Sequence, residues 1–192
     1  MSKTILRVNI SRDSDTENPL DYSSWELISF NRRHQGYADP DTTLRSLAIR
    51  TKLRYGTAFL LGYFEHGGCQ WALSGEHQQC PWDSVNVAGV LVWRGRPQDL
   101  GPTPDKRRES ARATLVEYTD WCNGECYAYG LDLYEVADDW EGDDPQDDGE
   151  PVQSDGCGGF IGYEYTRQEV ANLIKDMSYD AVHYTQDAKV FA

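Results

Sequence analysis

The chain has 192 residues and an acidic composition, with 18 basic and 32 acidic residues and a formal net charge of −14. A hydrophobic content of 39% suits a folded domain, and a chain of this length can bury a core without disulfides or a structural metal. The negative charge disfavours direct binding to nucleic acid and to anionic membranes, because both repel an acidic surface.

The negative charge is concentrated in one interval. No lysine or arginine occurs between Arg112 and Arg167, and the 54 intervening residues hold 15 of the acids. The other residues include 17 acids and 18 bases, so this interval accounts for the whole net charge. Because a concentrated field attracts surfaces of opposite sign, the interval predicts a partner with a basic surface.

Hydrophobic patterning predicts seven strands. Alternating or branched apolar side chains indicate strands, and the pair Gly67-Gly68 supplies the positive φ angles that a tight hairpin needs. The short apolar run at 25–30 is a strand or a single helical turn. The predicted strands are 3–10, 25–30, 57–65, 69–74, 85–93, 126–136 and 159–163, and residues 180–191 end the chain as strand or coil.

Three helices are predicted, each from a capping signal. The first is capped by Asp41 or Thr42 and runs without interruption to about Leu53. The second begins at Pro104 with Thr103 as its cap, and the third begins at the capping-box spacing of Thr166 and Glu169. Because the strands do not alternate strictly with helices, the sequence predicts an α+β fold. We expect a mostly antiparallel sheet with about three helices packed on it, plus an acidic loop.

Residues 1–192 are predicted to form a single domain, with 137–156 as an acidic, flexible insertion. The N-terminal residues lack the apolar segment of a secretion signal, and no window has the ~18 apolar residues of a membrane span. We therefore expect the protein in the cytoplasm. The five cysteines, an odd number, suit reduced thiols there.

Three interpretations of the insertion are open: a solvated loop, a contact surface for a basic partner, or a calcium loop that starts at Asp139. The calcium match is poor because Asp144 occupies the position that requires glycine. In a contact surface, carboxylates supply attraction and neighbouring aromatic side chains supply buried area. The predicted contact residues are Asp132, Tyr134, Asp138, Asp139, Trp140, Glu141, Asp143, Asp144, Asp147, Asp148 and Glu150.

Cysteine chemistry gives the competing interpretation. Cys122 and Cys126 lie close in sequence and Cys157 is flanked by glycines, so these three are weak candidates for a zinc site. No second pair of ligands follows them, and no local signature joins a cysteine to a histidine. The sequence predicts no catalytic residue and no cofactor, and a zinc protein or a cysteine–histidine enzyme of unknown substrate is the alternative.

An acidic, proline-containing stretch leads to Trp25, a short apolar segment and Arg32-Arg33-His34. This run resembles the opening of small proteins of bacteriophage and mobile-element genomes that have no established activity, in which a tyrosine is common in place of His34. The other similar patches are 62–67, 82–85, 88–90, 121–129 and 155–160. The resemblance implies a genomic setting and supplies no catalytic residues.

These observations predict a non-enzymatic accessory protein of a phage or mobile element. We expect it to bind and inhibit a host protein that engages nucleic acid, as an anti-defence factor and DNA mimic with no direct nucleic-acid or membrane contact. Charge complementarity would speed association, and aromatic burial would hold the complex. The identity of the target and the oligomeric state are left open.

Overall fold

A computed structural model of the chain describes residues 2–185. Over that range it has eight strands, in two four-stranded sheets, and four α-helices. The predicted α+β class is confirmed. The contacts divide the chain, which was predicted as one domain, into two compact units. Unit 1 is Met1–Glu17 with Gly124–Ala192, and unit 2 is Asn18–Asn123.

Unit 2 is built on an antiparallel sheet. Across the sheet the strands are β2 (Trp25–Ser29), β5 (Ser84–Trp93), β3 (Ala58–Glu65) and β4 (Cys69–Leu73). β3 and β4 form the predicted hairpin, and Gly67 in its turn has a φ of 73°, which a residue with a side chain rarely adopts.

The first predicted helix is divided in two, α1 (Pro40–Arg45) and α2 (Leu47–Arg54), by the extended backbone of Ser46. The N-terminal cap of α1 is Asp39, whose carboxylate accepts from the backbone N–H of Thr42 at 2.9 Å. Asp39 caps it because Pro40 occupies the first helical position. The longer helix α3 (Pro104–Cys122) begins as predicted, with Thr103 as its cap.

Helices cover both faces of the unit 2 sheet. Successive residues of β5 point to opposite faces, so Leu91 packs with Leu115 of α3 while Val90 packs with Ile49 of α2. Both cores are closed, since Leu91 and Val90 are fully buried. Unit 2 therefore has its own three-layer core.

Unit 1 has a mixed sheet. Across it the strands are β7 (Gln153–Ile161), β6 (Cys126–Ala137), β1 (Ser2–Arg12) and β8 (Ala181–Tyr184). β8 pairs with β1 in parallel, and the other pairs are antiparallel. The predicted insertion 137–156 thus ends inside β7. The predicted terminal segment contains β8, and its residues 186–191 lie outside the described residues.

One helix, α4 (Tyr163–Ile174), covers one face of the unit 1 sheet. Its Val170 packs with Leu6 and Val8 of β1. The helix starts three residues before the predicted capping box, and Thr166 instead donates its hydroxyl to the carbonyl of Gly162 at 3.0 Å. Among the helices described over residues 2–185, none has the length and apolar character needed to cross a bilayer.

Candidate functional site

The net charge divides unevenly between the two units. Unit 1 contains 6 basic and 20 acidic residues, whereas unit 2 contains 12 of each. Unit 1 therefore holds the whole formal charge of −14 and unit 2 is neutral. The acidic interval of the sequence lies mainly in unit 1, where it adds to the acids of the N-terminal and C-terminal segments.

The sheet face of unit 1 away from α4 carries a cation between acidic side chains. Arg7 of β1 is opposite Asp132 of β6 in the strand register, and opposite His183 of β8. Two residues earlier in β1, Ile5 is paired with Tyr134, and both are buried, at 3% and 4% exposed. This face therefore offers an apolar patch beside a guanidinium.

The acidic segment, residues 138–152, packs on this face. Arg7 Nε donates to Asp144 Oδ1 at 2.8 Å, and Asp144 Oδ2 lies 3.9 Å from His183 Nε2. Burial of Asp144 by itself would raise its pKa, but the hydrogen bonds from Arg7 and from the Gln146 N–H outweigh burial and lower that pKa. Asp144 is therefore a half-buried carboxylate that holds the acidic segment against the sheet.

The acidic segment is also attached to the sheet through Lys3, Trp140 and Pro145. Lys3 Nζ donates to the carbonyl of Trp140 at 3.0 Å and lies 5.9 Å from the Trp140 ring centre. The Trp140 indole N–H donates to Asp148 Oδ2 at 2.7 Å, and Pro145 is fully buried. Trp140, Pro145 and Asp148, with the buried Tyr134, line a hollow of about 240 Å³. Tyr134 thus supports the segment from beneath.

Of the remaining predicted contact residues, Asp132 also pairs with Arg7. Asp132 is partly buried, its Oδ2 lies 3.9 Å from Arg7 Nη1, and its Oδ1 accepts from the Ser154 hydroxyl at 2.6 Å. Asp138 is exposed. Five further acidic side chains are exposed and form no ion pair with any described residue. They are Asp139, Glu141, Asp143, Asp147 and Glu150. The structure thus separates carboxylates that hold the segment from carboxylates that face solvent.

The three cysteines considered for zinc do not form a site. Cys122 ends α3 in unit 2, whereas Cys126 is buried on β6 of unit 1. Cys157 is exposed on β7, where it is registered with Tyr129 and not with Cys126. Over residues 2–185, no three histidine, cysteine, aspartate or glutamate side chains are placed to hold a metal ion.

A second candidate site, which the sequence did not indicate, is a pocket of about 620 Å³ in unit 2. It lies where the β3–β4 hairpin meets the C-terminal end of α3. Its aromatic walls are His34, Tyr63, Trp71, Tyr118 and Trp121, and its other lining residues are Gln35, Glu65, Gly67, Gly68, Cys69, Cys122 and Asn123. We call it the aromatic pocket.

The rings of the aromatic pocket hold one another in place. The His34 ring centre lies 5.1 Å from that of Tyr63 and 5.3 Å from that of Trp71, both edge to face. His34 Nδ1 is 3.1 Å from the hydroxyl of Ser29, which is fully buried. Burial lowers the pKa of His34, so the imidazole is neutral at neutral pH.

Two thiols meet at the rim of the aromatic pocket. The Asn123 side chain accepts from the Cys69 N–H at 2.8 Å and donates to the Cys69 carbonyl at 2.9 Å, which places Cys69 beside Cys122. Hydrogen bonds from Cys69 and Tyr118 lower the pKa of the Cys122 thiol against the effect of burial. The same contact raises the pKa of Cys69, so Cys122 is the more acidic thiol of the pair.

A smaller cluster joins a thiol, a carboxylate and a histidine near the start of β5. Asp83 Oδ2 accepts from Cys80 Sγ at 3.4 Å and lies 3.3 Å from His66 Nδ1. Because both groups are directed at one carboxylate oxygen, the imidazole is not hydrogen-bonded to the thiol as a catalytic base would be. The adjacent Trp82 is 90% exposed.

Comparison with known proteins gives no match to a family model, to a curated protein or to a solved structure.

Proposed function

We propose that the protein is an accessory protein of a phage or mobile element that binds a host protein with a basic, nucleic-acid-engaging surface. The contact is the acidic segment of unit 1 together with the exposed carboxylates around it. The observation that supports this proposal is that unit 1 carries the whole net charge of −14. Its acidic segment is fastened to the sheet by Arg7 and Lys3 and keeps five further carboxylates in solvent.

Fixing the segment matters for binding. A disordered acidic loop loses conformational entropy when it binds, whereas a segment already attached to a sheet loses less. Carboxylates held at a folded surface can occupy positions that phosphates take in a basic groove. Inhibition then follows from competition, because the groove cannot hold nucleic acid and this surface together.

The aromatic contribution to such a contact is small. Of the aromatic residues predicted at the interface, Tyr134 is interior and Trp140 is partly buried against Lys3. Binding should therefore depend mainly on charge. Interfaces of this kind associate fast at low salt and lose affinity as ionic strength rises.

The test is capture from a bacterial lysate on the immobilised protein, with the retained proteins quantified by mass spectrometry. An acidic-segment variant carries Asp139→Asn, Glu141→Gln, Asp143→Asn and Asp147→Asn, which keep the attachments of Asp144 and Asp148. A matched control variant changes charge equally in unit 2, through Asp21→Asn, Asp41→Asn, Asp105→Asn and Glu117→Gln, all exposed positions.

We expect the wild-type protein and the control variant to retain the same nucleic-acid-binding protein, and added double-stranded DNA to displace it. The acidic-segment variant should retain much less of it. Equal retention by the acidic-segment variant, or retention that DNA does not affect, would reject the proposal.

A further inference from the structure

We propose that the aromatic pocket of unit 2 binds an organic cation with an alkylated ammonium group. The inference is independent of the function proposed for unit 1, because every lining residue belongs to unit 2. Four features of the pocket support this inference.

The first feature is the aromatic wall. Ring faces carry partial negative charge and attract cations, most strongly when the cation sheds little hydration on contact. Trp71 and Tyr63 are 4% and 8% exposed, so the deep part of the wall is fixed by the core of unit 2. Tyr118 and Trp121, one turn apart on α3, have ring centres 5.9 Å apart and nearly parallel planes.

The second feature is the sign of the lining charges. Among residues 2–185, no lysine or arginine lines the pocket, and His34 is neutral at neutral pH. Glu65 supplies a carboxylate to the lining, and its negative charge acts to raise the pKa of both Tyr63 and His34. The pocket therefore has a negative field within a unit whose net charge is zero.

The third feature is the end of α3. This helix is 19 residues long and ends at Cys122 in the pocket lining, and no basic residue lies in its last turn. A helix C-terminus carries partial negative charge that a nearby cation stabilises. The last turn of α3 supplies no such cation, so a bound ligand can fill that role.

The fourth feature is the volume of the pocket, together with the presence of one carboxylate, Glu65, among its described lining residues. A metal ion requires several oxygen, nitrogen or sulfur ligands, which residues 2–185 do not gather here. A primary ammonium needs acceptors for three N–H groups, and Glu65 is the one carboxylate among the described lining residues. A quaternary ammonium has no N–H group to satisfy, and about 620 Å³ accommodates its head group and an attached body.

The test uses the whole protein under reducing conditions, with NMR or tryptophan fluorescence as the readout. The probe is choline, and its neutral isostere 3,3-dimethylbutan-1-ol is the matched ligand control. We expect choline to perturb Trp71 and Trp121 and to bind about tenfold more tightly than the isostere. Equal affinity for the two, or no perturbation by choline, would overturn the proposal.

Variants assign the binding to the pocket. Glu65→Gln keeps the shape of the side chain and should weaken choline binding about fivefold to tenfold, while Glu117→Gln, exposed on α3 outside the pocket, should leave it unchanged. Trp121→Leu removes a partly buried ring at the rim and should also weaken binding. Full affinity in both Glu65→Gln and Trp121→Leu would refute the assignment.

Binding measurements with peptides identify the natural source of the cation. A trimethyl-lysine peptide that binds more tightly than choline, with an unmethylated peptide that does not bind, supports a modified protein as the ligand. Choline binding without peptide binding supports a small metabolite. Tight binding of the unmethylated peptide contradicts the preference for alkylated ammonium.

Discussion

Arg7 and Asp144 are 137 residues apart in sequence, and Arg7 Nε donates to Asp144 Oδ1 at 2.8 Å. Their side chains are only 15% and 28% exposed. This hydrogen-bonded ion pair connects the second half of the chain to its first strand. It converts an acidic stretch with few core-forming residues into a defined surface of unit 1.

Removing the cation should release the acidic segment. Arg7→Gln leaves Asp144 and Asp132 partly buried without their guanidinium, which we expect to lower the free energy of unfolding by about 1–3 kcal/mol. Amide hydrogen exchange in residues 138–152 should accelerate more than exchange in β6. The control is Arg12→Gln, which removes the exposed pair with Glu125 and should leave that segment protected. Unaltered exchange in Arg7→Gln would show that the pair does not hold the segment.

Glu76 should make the stability of unit 2 depend on pH. Hydrogen bonds from Arg112 and Arg108 lower the pKa of Glu76 to about 2. Because the folded-state pKa is depressed, the stabilisation is present above the unfolded-state pKa, near 4.5, and is lost as pH falls towards 2.

Glu76→Gln should therefore lower the free energy of unfolding by about 1 kcal/mol at neutral pH, since the ion pairs are partly exposed. Denaturant unfolding at a series of pH values measures this difference. We expect the gap between wild type and variant to close as pH falls from about 5 to about 2. A gap that is constant with pH would contradict the assigned ion pairs.

Cys69 should control the reactivity of Cys122. Cys69→Ala removes the hydrogen bond that contributes most to the lowered pKa of Cys122, so the pKa of Cys122 should rise. Alkylation of Cys122 by iodoacetamide, followed by mass spectrometry against pH, should then need higher pH for the same rate. Cys157→Ala, in unit 1, serves as the control and should leave the profile unchanged. A profile identical in Cys69→Ala and wild type would disprove the thiol contact.

Gly62 should be intolerant of a side chain. A Cβ atom there would lie 2.0 Å from Nδ1 of His77, which is 4% exposed, so neither residue can move freely. We expect Gly62→Ala to lower the free energy of unfolding by about 3 kcal/mol. Gly130→Ala, in a strand with no atom within 4 Å of the new Cβ, should be neutral or slightly stabilising. Similar thermal unfolding of the two variants would contradict the packing of His77.

Features of the fold with local causes were predictable from the sequence. The hairpin around Gly67 and the start of α3 at Thr103 and Pro104 depend on residues next to one another, and both were placed correctly. Asp39 and Ser46 show the limit of this reasoning. The first helix was predicted as continuous from residue 41 or 42, whereas in the structure it is capped by Asp39 and interrupted at Ser46.

Features with long-range causes were not predictable in this way. The division into two units depends on the pairing of β1 with β6, in which Ser2 is registered with Ala137. The attachment of the acidic segment depends on Lys3 and Arg7 of the same first strand. No local pattern in a single sequence reports such pairings.

The aromatic pocket was missed for the same reason. Its lining residues run from His34 to Asn123 and meet only when the hairpin and α3 pack together. One signal was present: Tyr118, Trp121 and Cys122 follow one another within a helical turn near the end of α3. Aromatic side chains at that spacing are usually part of a core, so the pattern did not indicate a pocket.

The central claim is that the exposed carboxylates of the acidic segment govern association with a basic partner. Its most direct test is the association rate constant of the captured host protein, measured by biolayer interferometry over a series of salt concentrations. For wild type and the unit 2 control variant, we predict a fast rate that falls steeply as salt increases. The acidic-segment variant should associate more slowly at low salt, with a flatter salt dependence. Equal rates and equal salt dependence in all three proteins would contradict the claim.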